Sequence, residues 1–160
     1  PDILMGTLSK ALGAEGGYAC ASKVIIEYLK NKARSFIFAT SQTPATLAAA
    51  LRAIEVLKEE PQRAQKLQHN VEFFLNALHT EGVEAYSPTA IIPIIIGDEK
   101  SALQVADELL ANGVLAPAIR YPTVAKGTAR LRVTLMATHT EAELSQTAKL
   151  IGAAIRKYKK

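Results

Sequence analysis

Apolar residues in the last third of the chain repeat at two periods. From Arg130 to Met136 they alternate, with Leu131, Val133 and Leu135 to one side and Arg130, Arg132 and Thr134 to the other, as in a strand with one buried face. Directly afterwards Leu144, Ala148, Ile151, Ile155 and Tyr158 recur every three or four residues, the period of a helix with one buried stripe. Thr140 and Glu143 stand ahead of it in capping-box spacing. Upstream, the stripe Ala64, Leu67, Val71, Phe74, Leu78 predicts a helix over 62–80 closed by Gly82. Strands are expected at 83–86 and 91–96, then a helix capped by Ser101 and ending at Gly113. A strand at 115–119 and a loop over 120–129 with Pro122 and Gly127 complete the region. Alternation of this kind predicts a small α+β layer domain.

The first sixty residues follow a different pattern. Short strands at 3–5 and 18–21 flank a loop carrying Gly6, Gly13, Gly16 and Gly17. Ser22 is placed to cap a helix with the stripe Val24, Ile25, Tyr28, Leu29; Phe36–Phe38 reads as a brief strand, and 39–42 as a polar loop. Thr43 then caps a helix with Pro44 at its first position, where a missing N–H costs nothing. That helix, 46–59, is rich in alanine (Ala48, Ala49, Ala50, Ala53) and is expected to be buried against a neighbour. The charged break Glu59-Glu60-Pro61 marks a boundary, giving domains 1–59 and 60–160.

Composition narrows the function classes. With 49% hydrophobic and 21% charged residues the chain can bury a core, which excludes a disordered polymer. No apolar run approaches the roughly 18 residues of a membrane span, and the longest, Ile91–Ile96, contains Pro93. The net charge of +4 sits partly in the terminal Arg156-Lys157-Tyr158-Lys159-Lys160, read as a frayed tail, so neither nucleic acid nor membrane is an expected partner. A single Cys20, read as a small packed residue, leaves no internal disulfide and points to a reducing, cytoplasmic compartment. His69 and His79 lie ten apart on one helix, the wrong spacing for a shared metal, and His139 is placed to help a turn; no metal site is expected. The opening Pro1-Asp2-Ile3 lacks an initiator Met and reads as the interior of a larger fold.

The densest chemistry lies in Gly6-Thr7-Leu8-Ser9-Lys10-Ala11-Leu12-Gly13-Ala14-Glu15-Gly16-Gly17. No Gly-Lys-Ser/Thr follows four variable residues, and the glycine spacing is wrong for a dinucleotide loop, so both phosphate-loop readings fall. What remains is one lysine among glycines and small hydroxyl residues. Held in an apolar setting, such a lysine loses solvation, and its neutral amine can attack a carbonyl to form a Schiff base. A solvated loop lysine is the competing reading from the residues alone.

The segment Asp2–Gly13 with Gly16-Gly17-Tyr18 resembles the cofactor-lysine signature of the α-oxoamine synthases, pyridoxal-phosphate enzymes of fold type I. The resemblance continues through Phe38–Pro44, Ala116–Val124 and Gly127–Thr134 to Ala137–Thr140, four ordered blocks over nearly the whole chain. It implies an α/β fold, the C-terminal part of a fold type I enzyme: the latter part of a large cofactor domain plus a small α+β C-terminal domain. It also implies pyridoxal 5'-phosphate as cofactor and a homodimer. Ile119–Gly127 is most similar to the branch that condenses L-alanine with a pimeloyl thioester in biotin biosynthesis, with the aminoketobutyrate branch or a non-catalytic homologous domain as alternatives.

By the same resemblance Lys10 is the catalytic lysine that carries the cofactor, and Thr7 bonds its phosphate. Thr40, with Ser41 beside it, reaches the phosphate of the other subunit's cofactor. Arg132 holds the amino-acid carboxylate, Thr123 is a substrate contact, and Arg120 meets the distal end of the acyl chain. The strands expected upstream of residue 1 in that family carry the remaining cofactor contacts, so this piece alone is expected to be inactive.

Overall fold

The computed structural model describes residues 1–158. They fall into two compact units, Pro1–Pro61 and the unit beginning at Gln62.

In the first unit β1 (Ile3–Thr7) pairs antiparallel with β2 (Gly17–Ala21), and the intervening loop carries Lys10. Gly6 faces Tyr18 across this ribbon, and a Cβ at Gly6 would overlap the Tyr18 ring, so the aromatic lies over the gap. Helix α1 (Lys23–Lys32) starts after Ser22, whose side chain makes no capping bond. The expected strand at 36–38 is instead the helical turn α2 (Arg34–Ile37). Its amides find local acceptors, Phe36 and Ile37 on the Ala33 carbonyl and Phe38 on that of Arg34, and the Arg34 guanidinium lies 5.5 Å from the Phe38 ring centre. With its backbone satisfied locally, the segment needs no neighbouring strand. Helix α3 (Pro44–Glu59) starts as expected, the Thr43 hydroxyl accepting from the Thr46 amide at 3.3 Å.

The expected burial of α3 is wrong. Only Ala50 is buried, packed with Leu8 and Ala14, while Leu47, Leu51 and Leu57 are each at least half exposed. Alanine permits one close contact with the lysine loop, but no described layer covers the rest of the helix. Cys20 is likewise exposed rather than packed, for the same reason.

The second unit encloses its own core. Helix α4 (Gln62–Thr80) ends at Gly82, whose φ of +75° lets Val83 turn back and donate to the Leu78 carbonyl at 2.9 Å. The expected strand at 83–86 does not form: Val83 is buried in the core, but the segment finds no ladder partner among the described residues. Strand β3 (Ile91–Gly97) carries Pro93, tolerated because β3 is an edge of the sheet β3-β5-β4. Helix α5 (Glu99–Ala111) is capped by Asp98, not by Ser101; the Ser101 amide donates to Asp98 Oδ2 at 2.8 Å, so the helix starts earlier than expected. Strand β4 shrinks to Ala118–Ile119, because Pro117 interrupts the expected run and Leu115 is exposed.

Strand β5 (Ala129–Thr134) is the centre of this all-antiparallel sheet. Helix α6 (Glu141–Tyr158) opens with the expected reciprocal box: the Thr140 amide donates to Glu143 Oε2 at 2.8 Å and the Glu143 amide to the Thr140 hydroxyl at 3.3 Å. The three helices cover one sheet face. Phe74, Leu78, Ile92, Leu109, Leu131 and Ile151 are all fully buried there, each contributing about 1.5 to 3 kcal/mol before entropy. The end of α6 is tied rather than frayed, since Lys157 Nζ and the Tyr158 hydroxyl both donate to Glu108 Oε2, at 2.8 and 2.9 Å. Lys159 and Lys160 lie outside the described residues.

Candidate active site

Each unit presents one group of the residues singled out from the sequence. In the first unit the lysine loop is anchored at two points, the Leu8 amide donating to the Gly16 carbonyl and the Ala14 amide to the Leu8 carbonyl, both at 2.9 Å. Buried Leu8 and Ala14 form its floor. From that floor a turn protrudes, closed by the Gly13 amide on the Lys10 carbonyl at 3.0 Å. Lys10 is therefore exposed, not desolvated as expected from its apolar flanks, and its amine meets no acid or acceptor among the described residues.

Beside it the Thr7 hydroxyl lies 2.8 Å from that of Ser9, receives the Ser9 amide at 3.2 Å and donates to the Gly16 carbonyl at 3.2 Å. A free amine, two hydroxyls and a loop of small residues fit a flat carbonyl compound bearing a phosphate: the amine suits the carbonyl carbon, and the hydroxyls, once turned from their partners within the loop, suit phosphate oxygens.

Thr40 and Ser41 lie in the extended segment before α3, exposed, with hydroxyls that have no partner among the described residues. The next residue, Gln42, reaches back and donates from Nε2 to the Glu15 carbonyl at 3.1 Å. Thr7, Ser9, Lys10 and the 40–41 segment are thus parts of one hydrogen-bonded assembly. The sequence offered no signal for Gln42, because a bond between residues 27 apart leaves no periodicity.

In the second unit Arg132 sits on the face of β5 turned away from the core, with Arg130 and Thr134, while Leu131 and Val133 are buried. Its backbone is fixed on both sides, by register with Pro93 and by its amide donating to the Pro117 carbonyl at 2.9 Å. Neither Arg130 nor Arg132 meets a carboxylate among the described residues. A cleft of about 410 Å³ opens beside them, lined also by Tyr86, Ile91, Pro93 and Ile119. Its rim is shaped by Ser87, whose hydroxyl donates to the Ile91 carbonyl at 2.7 Å, in the segment that sequence periodicity assigned to a strand and its following loop.

Arg120 and Thr123 open and close the turn after β4, joined by the Thr123 amide on the Arg120 carbonyl at 3.0 Å, and both side chains are exposed. Lys126 lies over the Tyr121 ring at 5.1 Å and braces the loop. His69 pairs with Glu141 at 2.8 Å, and His139 Nδ1 accepts from the Met136 amide at 3.2 Å. Among the described residues no cluster of three metal-ligating side chains occurs, and no helix is long and apolar enough to cross a membrane.

Comparison with known proteins matches the family model "Aminotransferase class I and II" over residues 1–151. An 8-amino-7-oxononanoate synthase of Bacillus subtilis is 49% identical over 93% of this chain and 38% of its own length, and a putative one from Aquifex aeolicus is 46% identical over 89% and 38%. Among solved structures, 8-amino-7-oxononanoate synthase from Francisella tularensis superposes with a TM-score of 0.84 at 29% identity, covering 97% of this chain and 46% of that one. A serine palmitoyltransferase from S. paucimobilis, solved with a bound pyridoxal-phosphate–myriocin adduct, gives 0.89 at 26%, covering 98% and 40%. The chain spans less than half the length of each of these relatives, and its fold is the corresponding part of a fold type I enzyme. The chain belongs to the class I and II aminotransferases and, within them, to the α-oxoamine synthases.

Proposed function

We propose that this chain is the cofactor-lysine segment and C-terminal domain of a pyridoxal 5'-phosphate-dependent 8-amino-7-oxononanoate synthase. The full protein would be a cytoplasmic homodimer that condenses L-alanine with a pimeloyl thioester and releases carbon dioxide and the carrier thiol. Residues 1–59 belong to the large cofactor-binding domain and 60–160 form the small one. The observation that carries the reading is the unpaired amine of Lys10 in the same loop as the paired Thr7 and Ser9 hydroxyls. The names of the relatives supply the choice of acyl and amino-acid substrates.

Bound there, the cofactor supplies an electron sink for negative charge at the amino acid's α-carbon. Lys10 Nζ would hold the cofactor's carbonyl carbon in the resting protein and, once the substrate's amine has displaced it, would be free to move the proton at that α-carbon. Thr7 would bond the phosphate of the same subunit's cofactor, and Thr40 with Ser41 that of the partner subunit. Arg132 offers a planar fork to the alanine carboxylate, which a lysine could not match with both oxygens. Arg120 and Thr123, on the braced turn after β4, face the acyl chain.

Borohydride reduction of the full-length protein loaded with pyridoxal 5'-phosphate should leave a stable label on the peptide containing Lys10, and Lys10→Ala should abolish both label and turnover. A label that persists in Lys10→Ala overturns the assignment. Turnover with glycine and acetyl thioester in preference to alanine and pimeloyl thioester moves the chain to the aminoketobutyrate branch.

A further inference from the structure

We propose that Gln42 is a positioning residue that clamps the Thr40–Ser41 segment onto the lysine loop, so that the hydroxyls assigned to cofactor phosphate are held in one register. The inference rests on the proposed function for the identity of the phosphate. Its structural basis is a continuous chain of contacts. The acceptor at one end is the Glu15 carbonyl, so the carboxamide must present its NH₂, which it does at 3.1 Å. The following residue, Gly16, has φ +102°, and a Cβ there would overlap the Gln42 carboxamide; the glycine is what lets Gln42 lie flat against the turn. The Gly16 carbonyl in turn receives the Leu8 amide at 2.9 Å and the Thr7 hydroxyl at 3.2 Å.

Gly16 joins the peptide whose carbonyl accepts from Gln42 to the next one, whose carbonyl accepts from Thr7, so the two contacts are one residue apart. On the other side Gln42 is followed by Thr43 and Pro44, which fix the start of α3. Thr40 and Ser41, with no hydrogen bonds of their own, have only Gln42 to hold them to the lysine loop among the described residues. A Thr40–Ser41 segment held this way donates to its phosphate without first having to be ordered, which raises affinity without adding a contact.

The test uses the full-length apo-protein with Gln42→Met, which keeps the length and loses the donor, and Gln42→Glu, which keeps the shape and sets a carboxylate against a carbonyl. Dissociation constants are measured for pyridoxal 5'-phosphate and for pyridoxal, which lacks the phosphate. Both variants should bind pyridoxal 5'-phosphate about five- to tenfold more weakly, the loss of roughly one hydrogen bond's worth of ordering. Pyridoxal should stay within twofold of wild type. If both ligands weaken in step, or neither does, Gln42 is not a phosphate-positioning residue. Amide exchange at Leu8 gives a second readout: it should be slow in the wild-type apo-protein and faster in any folded variant. Fast exchange in wild type overturns the clamp even where the variants fail to fold. Wild-type protein that takes up no pyridoxal 5'-phosphate at all refutes the proposed function itself, an outcome separable from a phosphate preference that Gln42 leaves unchanged.

Discussion

Among the described residues Asn70 is the one fully buried polar side chain of the second unit, and replacing it should weaken the turn that follows the arginine strand. From α4 its Nδ2 donates to the Met136 carbonyl at 2.9 Å and to the His139 carbonyl at 3.0 Å, so one amide bridges the ends of the β5–α6 turn. Its Oδ1 is buried without a partner. Asn70→Ala removes two hydrogen bonds, about 1 kcal/mol each, and leaves a small void; it also removes the unpaired Oδ1, which offsets part of the loss. The Met136 carbonyl keeps the His139 amide at 3.3 Å, so it is not stranded. A net cost of about 2 kcal/mol follows.

Asn70→Asp is the sharper perturbation. At neutral pH it places a buried carboxylate against two carbonyls, and burial of this kind raises a carboxyl's pKa above its unfolded value near 3.9. The protonated form can still donate one bond. Its stability is therefore retained below about pH 4 and lost as pH rises toward the raised folded-state pKa, so the deficit against wild type should widen with pH and exceed that of Asn70→Ala at pH 7. Urea unfolding followed by circular dichroism at pH 5 and 8 measures it. A deficit for Asn70→Asp that is independent of pH, or smaller than about 0.5 kcal/mol at pH 7, refutes the bridging role.

Two further predictions concern the same unit. Arg132→Ala in the full-length enzyme should weaken alanine binding by about 1.5 to 3 kcal/mol, roughly tenfold to a hundredfold, and thioester binding far less, with Arg132→Lys recovering only part; alanine affinity within twofold of wild type transfers the carboxylate to another residue. The Asp98 carboxyl is held below its usual range, first by the Ser101 amide and then by the Ser101 hydroxyl, so its support of α5 is present above the unfolded carboxyl pKa and fades as pH falls through the lower folded value. The melting temperature of Asp98→Ala should fall short of wild type at pH 7, with the gap closing below pH 4; a gap constant across that range contradicts the cap.

What the sequence made legible depends on whether the stabilising partner lies nearby along the chain. The Thr140–Glu143 box, the Thr43 cap and the Gly82 stop are local, and each forms where spacing put it. Alternation along β5 placed Arg132 opposite the core because a strand's two faces are fixed by parity alone. Ser101 failed as a cap because Asp98, three residues earlier, accepts the Ser101 amide and starts the helix sooner, which leaves Ser101 inside its first turn. The strand expected at 36–38 failed because aromatic and β-branched residues favour a ladder only when a neighbour exists, and none lies beside it among the described residues. Of the site, Thr7, Lys10 and Arg132 were readable as candidates, whereas the Gln42–Glu15 bond and the cleft beside Arg132 depend on contacts that no local pattern encodes.

The failed burial of α3 follows the same rule at the level of layers. A hydrophobic stripe states which face of a helix is apolar, not what lies against it. In the second unit the stripes of α4, α5 and α6 meet a sheet built from the same hundred residues, so the expected stripe residues Val71, Phe74, Leu78, Leu144 and Ile151 are buried. In the first unit the lysine loop buries only Ala50 of α3, through Leu8 and Ala14, and Leu51 at 60% and Phe38 at 76% exposure are left uncovered. Apolar surface on this scale marks a contact face in a stable protein. The lysine loop shares the unit with that surface, and Lys10 itself is exposed. That is why the chemistry of Lys10 is readable here from its neighbours' types and free amine, while its environment is not.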